Sequence, residues 1–154
     1  MIVWFTGQPG SGKTTLANLI VETIKKENNT IRIINIDGDD LRNINKNKDY
    51  SKEGRIRNIS TAISITRFLA NKGYICIISI VAPYRFLRDE LKSEFPFLEV
   101  YLHTTEKRGR EDFFAKDYEI PTDVNTLSID TGKLTIKEST DEILNVYRKM
   151  ATLA

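Results

Sequence analysis

Histidine, cysteine and tryptophan each occur once in the 154 residues, and no apolar run is long enough to span a bilayer. The lone cysteine, Cys76, rules out an intrachain disulfide, and its place inside Tyr74-Ile75-Cys76-Ile77-Ile78 reads as a buried, inert thiol. The lone histidine, His103, has no second histidine or partner at metal-ligand spacing, so it reads as structural, and Trp4 reads as core. There is no charged-then-apolar leader, which argues against export and membrane insertion and gives a cytoplasmic location as the expectation. Charge of one sign is also lacking: 23 Lys and Arg against 21 Asp and Glu leave a formal net charge of +2, spread along the chain. A nucleic-acid partner would call for a concentrated basic face; scattered basic residues fit small phosphorylated ligands better. No repeat or low-complexity linker interrupts residues 1–154, a length that suits one domain with one well-buried core.

What the chain does have begins at its second residue. The apolar run Ile2-Val3-Trp4-Phe5-Thr6 leads into Gly7-Gln8-Pro9-Gly10-Ser11-Gly12-Lys13-Thr14, a complete Walker A phosphate-binding loop. Its glycines let the backbone turn left-handed and approach a ligand closely. Its N–H groups would cradle phosphate oxygens, with Lys13 reaching the β- and γ-phosphates of ATP and the Thr14 hydroxyl placed for Mg²⁺. The loop opens a helical pattern, with Leu16, Leu19 and Ile20 at helical spacing, so a helix N-terminus adds its dipole to the cradle.

Short apolar runs rich in β-branched or aromatic residues at 2–6, 31–36, 74–81, 97–102 and 126–130 read as five buried strands. Helical patterns over 14–27, 52–71, 84–93 and 135–150 alternate with them, the last opened by Thr135 and Glu138 as a capping box. This order predicts an α/β, three-layer P-loop nucleoside triphosphate hydrolase/kinase fold, a five-stranded parallel sheet with helices on both faces. Ligands then belong at the carboxyl ends of the strands, in the loops 7–13, 37–51, 82–85 and 103–118. Asn43-Ile44-Asn45-Lys46-Asn47-Lys48 reads as a polar loop.

The second constellation is Ile36-Asp37-Gly38-Asp39-Asp40-Leu41-Arg42, which follows the second strand. An isolated Asp-Gly-Asp reads as a polar turn with a helix cap. Here it adjoins the phosphate loop, where a strand-end carboxylate can hold a Mg²⁺-bound water and accept a hydroxyl proton.

In order and spacing, the phosphate loop, Asp-Gly-Asp-x-Leu-Arg, Tyr50-Ser51, Arg55-x-x-Asn58-Ile59 and Ser79-Ile80-Val81-Ala82-Pro83-Tyr84-Arg85 resemble the adenylylsulfate kinase family. The match runs to about Asp89 and resumes weakly at Tyr118-Glu119-x-Pro121 and Ile129-Asp130-Thr131. The resemblance implies transfer of the ATP γ-phosphate to the 3′-hydroxyl of adenosine 5′-phosphosulfate, a step of sulfate assimilation. It makes Asp37 the base and Mg²⁺-water ligand, with Lys13 as its catalytic partner and Thr14 on the metal. Gly7 to Thr15 and Arg108 would hold ATP, and Asp39, Arg42, Tyr50, Arg55, Asn58, Val81 and Ala82 the acceptor nucleotide. Tyr50 replaces a phenylalanine that stacks on the acceptor base and keeps a π-face. The family often dimerises, which makes a homodimer the implied assembly.

Two departures lie on the acceptor side. The family's serine in Ser-Pro-Tyr-Arg is Ala82 here, which excludes a phosphoserine route but not direct in-line transfer. The lid, residues 104–120, is short and rewritten, offering Arg108, Arg110, Phe113, Phe114 and Lys116 either as substitutes for the family's basic and aromatic lid residues or as an amphipathic connecting helix. Two alternatives to adenylylsulfate therefore stand: a cytidine nucleotide acceptor, as in the related cytidine diphosphoramidate kinases, and a non-catalytic nucleotide-binding module. A GTPase is disfavoured, since no Asn-Lys-x-Asp segment follows a strand.

Overall fold

Ile2, Val3, Trp4, Phe5 and Thr6 are all without solvent exposure, so the first strand is covered on both faces. The computed structural model describes residues 1–153, leaving Ala154 of the expected 1–154 domain outside the described residues. The order of elements is β1 (Ile2–Thr6), α1 (Lys13–Glu27), β2 (Ile33–Asp37), α2 (Gly38–Asn45), α3 (Lys52–Asn71), β3 (Ile75–Ser79), α4 (Arg85–Asp89), β4 (Phe97–His103), a 3-10 turn at Glu111–Phe113, β5 (Leu127–Asp130) and α5 (Ile136–Leu153). The strands are all parallel in the order β2-β3-β1-β4-β5.

Alternation along β1 makes the three layers. Val3 and Phe5 point to a core with Leu16, Ile20 and Ile24 of α1 and Ile143, Leu144 and Tyr147 of α5. Ile2 and Trp4 point to the opposite core with Ile59, Ala62 and Ile63 of α3 and Leu87 of α4. The expected three-layer α/β fold is therefore present, with each strand found within a residue or two of its expected ends. The carboxyl ends of β1, β2 and β3 lie side by side, which brings the phosphate loop, Asp37 and the Val81-Ala82 turn to one crevice.

Three expectations are corrected. Residues 38–45 are a helix rather than part of a loop: Asp37 caps it by accepting from the Asp39 amide at 3.1 Å, and Asp39 and Asp40 suit its first turn. Its Asn-rich sequence has weak helix propensity, and only Gly38 and Leu41 are buried, so no periodic signal marks it. The helix expected over 84–93 stops at Asp89 and continues as turns, with the Lys92 amide donating to the Asp89 carbonyl and the Glu94 amide to the Leu91 carbonyl, both at 3.2 Å. The lid forms one 3-10 turn in place of an amphipathic helix; Gly109 is left-handed at φ 82°, and the Arg108 amide donates to Glu111 Oε1 at 2.9 Å. The capping box at Thr135 is present with both reciprocal bonds at 3.1 Å.

Candidate active site

The phosphate loop is shaped by close approach. A Cβ on Gly7 would lie 2.3 Å from the Leu102 carbonyl oxygen, so only glycine fits beneath β4. Gly12 is left-handed at φ 106° and enters α1 without a side-chain cap, leaving first-turn amides for a ligand. The Lys13 ammonium curls back, donating to the carbonyls of Gly7 and Gln8, both at 2.9 Å, and to Ser11 Oγ at 3.4 Å. Three acceptors suit a charged ammonium. Burial nevertheless pulls its pKa down to about 7, against the opposing pull of Asp39 and Asp37. A bound triphosphate supplies the anionic charge that restores the ammonium.

Asp37 closes β2 beside the loop, 7% exposed. Its Oδ1 accepts from Thr14 Oγ1 at 2.7 Å and lies 2.7 Å from Ser79 Oγ, while Oδ2 accepts from the Asp39 amide at 3.1 Å. Two of the four lone-pair sites of the carboxylate are taken on Oδ1 and one on Oδ2, so Oδ2 keeps a free site. Thr14 Oγ1 and Asp37 form a hard-oxygen pair of the kind Mg²⁺ selects. The described residues hold no cluster of three or more His, Cys, Asp or Glu side chains able to bind a metal.

Across the cleft, of about 510 Å³, stand Arg42 and Arg55. Arg42 Nη1 donates to the carbonyls of Asn47 at 3.2 Å and Asp49 at 2.9 Å, and Arg55 donates to those of Tyr50 at 3.0 Å and Phe113 at 2.7 Å. Neither is salt-bridged among the described residues. Burial lowers the pKa of both, and the like charge of Arg42 lowers Arg55 further. Arg42 lies over the Tyr50 ring at 4.1 Å, and Phe113 tilts against the same ring at 5.0 Å. Asn58 Nδ2 donates to the Gly38 carbonyl at 3.2 Å, while its buried Oδ1 has no partner among the described residues.

Most expected site residues line this one cleft: Pro9, Gly10, Gly12 to Thr15, Asp37, Asp39, Arg42, Tyr50, Arg55, Asn58, Val81, Ala82 and Arg108. Gly7, Gln8 and Ser11 do not line it. Gly7 and Ser11 hold Lys13, and Gln8 clasps the lid, donating to the Ala115 carbonyl at 2.8 Å and accepting its amide at 2.9 Å. Arg108 braces the loop from outside, bonded to the carbonyls of Gly10 and Thr131 at 3.0 Å each. Of the other lid residues, Arg110 lines the cleft and Phe113 contacts Tyr50, whereas Phe114 faces a smaller neighbouring cavity and Lys116 is exposed. The carbonyls of Val81 and Ala82 are already taken, by Thr6 Oγ1 at 2.7 Å and Arg88 Nη1 at 2.7 Å, so these residues shape the wall rather than offer acceptors.

Ala82 is left-handed at φ 44°, a conformation that L-residues seldom adopt, and Arg88 holds it there. Sequence reading passed over Arg88, which is fully buried with Nε 3.4 Å from Glu99 Oε2 and Nη2 donating to the Glu119 carbonyl at 2.6 Å. The available signal was Glu99 itself, a carboxylate within an apolar strand that demands a cationic partner. Tyr118, hydrogen-bonded to Thr6 at 2.6 Å, and Glu119 dock the end of the lid here.

Residues 1–119 match the family described as adenylylsulphate kinase. The chain is 29% identical over 167 residues to an adenylyl-sulfate kinase of Lactiplantibacillus plantarum, covering 94% of this chain and 79% of that protein. It is 35% identical over 123 residues to a probable adenylyl-sulfate kinase of Aeropyrum pernix, covering 76% and 64%. The Mycobacterium tuberculosis APS kinase solved with AMPPNP and APS shares the fold at a TM-score of 0.78 and 21% identity, over 96% of each chain.

Proposed function

The chain belongs to the adenylylsulphate kinase family, and from that premise we propose that it transfers the γ-phosphate of ATP to the 3′-hydroxyl of adenylylsulfate, with residues 1–154 as one kinase domain and 104–120 as its lid. The observation that carries this reading is one cleft with two unlike walls. On one side stand Lys13 and the Thr14–Asp37 pair, and on the other two desolvated guanidiniums without a carboxylate partner. Burial disfavours the charge on both guanidiniums and Arg42 lowers Arg55 further, so an anion between them relieves that cost, and their planar donor forks match phosphate and sulfate oxygens. The orphan Asn58 Oδ1 suits a donor such as the exocyclic amino group of a base, and Tyr50 with Phe113 supplies rings for that base to stack against.

Asp37 Oδ2, the carboxylate oxygen with a free site, accepts the proton of the attacking hydroxyl. Lys13 turns from the loop carbonyls toward the phosphates and offsets charge on the group in transfer. Arg42 and Arg55 orient the acceptor by its anionic group, and Arg55 exchanges the Phe113 carbonyl for it. Thr14 and Asp37 would hold Mg²⁺, which when bound neutralises charge on the β- and γ-phosphates. Work in the cytoplasm, where ATP is abundant, and assembly with further copies of the chain belong to the same proposal; a Thiobacillus denitrificans APS kinase is described as hexameric.

An acceptor panel tests it. With Mg²⁺ and ATP, adenylylsulfate should give the highest kcat/KM, and adenosine 5′-phosphate, lacking sulfate, should fall at least about tenfold lower, the loss expected for one charge-assisted contact. A CDP-type acceptor that outpaces adenylylsulfate would move the reading to the cytidine branch of the resemblance. ATP binding without transfer to any nucleotide would contradict the enzyme assignment.

A further inference from the structure

A polar seam runs between α1 and β2. Thr14 and Asn18 stand one turn apart on α1, and Asp37 and Asn35, two residues apart, share one face of β2. Thr14 Oγ1 meets Asp37 Oδ1 at 2.7 Å, and Asn18 Oδ1 meets Asn35 Nδ2 at 3.1 Å. Ser79, the register partner of Asp37 on β3, joins the two rungs: its Oγ lies 2.7 Å from Asp37 Oδ1 and 2.9 Å from Asn35 Oδ1.

Ser79 has one hydroxyl proton for these two oxygens. Ser79 is 3% exposed, so water does not settle the competition. The oxygen and nitrogen of a carboxamide share one outline, and hydrogen bonding decides which way each amide faces. If Asn35 and Asn18 both turn, Asn35 Nδ2 donates to Ser79 Oγ across the 2.9 Å contact and Asn35 Oδ1 accepts from Asn18 Nδ2 across the 3.1 Å contact. Each contact of the seam then pairs a donor with an acceptor, and the Ser79 proton goes to Asp37.

From this we infer that Asn18, Asn35 and Ser79 form a polarised chain ending on Asp37 Oδ1, and that Ser79 is a positioning residue for phosphoryl transfer. The chain and Thr14 fix Oδ1 from two directions while the Asp39 amide holds Oδ2, so the carboxylate cannot rotate and its free site on Oδ2 keeps one direction. The inference rests on Asp37 acting as proposed above.

Two measurements on the full chain test it, the first independent of turnover. In the labelled protein, the Asn35 side-chain NH₂ protons should show NOEs to the Ser79 β-protons, and the Asn18 NH₂ should be the donor toward Asn35. NOEs from the Asn35 NH₂ to Asn18 alone would overturn the chain. In the second, Ser79→Ala should lower kcat about tenfold with KM for ATP within about twofold, the pattern of a lost hydrogen bond to a charged group that acts on the reaction and not on ATP binding. Ser79→Thr, which keeps the hydroxyl, should recover most of kcat. An unchanged kcat in a Ser79→Ala protein with wild-type melting, or a loss confined to KM for ATP, rejects the positioning role. A wild-type protein that does not turn over rejects the kinase reading instead, while the NOEs still decide the orientation of the chain.

Discussion

Asp37 and Lys13 line the same cleft, and their environments differ. Asp37 is held at three points and leaves one lone pair free, so Asp37→Asn should lower kcat by at least about 100-fold, as loss of a general base does, and keep ATP affinity within about threefold. Calorimetric ATP titration beside steady-state rates checks the split; equal loss of both would contradict the base assignment. Lys13, pulled down to about 7 by burial, is largely neutral at pH 8 in the free protein, and phosphate favours its charged form. ATP binding should therefore take up a proton at pH 8 and much less at pH 6, where the ammonium is already formed. The dependence of binding enthalpy on buffer ionisation reads this directly, and proton release at pH 8 would refute it. Both residues were legible in the sequence because phosphate-loop spacing and a strand-end carboxylate are local patterns. Ser79 and Arg88 were not: their meaning lies in partners on other strands, Asp37 of β2, 42 positions away, for Ser79 and Glu99 of β4 for Arg88.

Elements carried by hydrophobic periodicity were legible, and those carried by polar contacts were not. Apolar runs set all five strands, and α5 shows both its buried stripe and its capping box. Thr135→Ala should cost about 1 kcal/mol, the usual price of an N-cap, read as a lower denaturation midpoint with activity retained. By contrast α2 depends on the Asp37 cap, and the lid on side chains reaching backbone: Gln8 to Ala115 and Arg55 to Phe113. Such contacts leave no periodic trace. Gln8→Ala removes both hydrogen bonds of the clasp between phosphate loop and lid, so it should raise the acceptor KM at least about threefold, a bound set by one neutral hydrogen bond, while the melting temperature stays close to wild type. A large drop in melting temperature with unchanged KM would assign the clasp to stability instead.

At the scale of the molecule, the strand order puts three carboxyl ends at one crevice and leaves the rest of the chain as support. Cys76 belongs to that support: fully buried, with burial raising its thiol to about 11, it should resist iodoacetamide at pH 8 until the protein unfolds. None of the described helices is long and apolar enough to cross a membrane. The fold was legible because alternating strands and helices admit few arrangements. The acceptor half of the cleft was less so, since its lid is rewritten and its walls come from four separate segments, around residues 37–42, 50–58, 79–83 and 108–113. The most direct measurement of the central claim is transfer of labelled γ-phosphate from ATP to adenylylsulfate, with the product's phosphate position read by ³¹P NMR. The account predicts label on the 3′-oxygen in the wild type and almost none with Asp37→Asn; label released only as inorganic phosphate, or transfer undiminished in that variant, would contradict it.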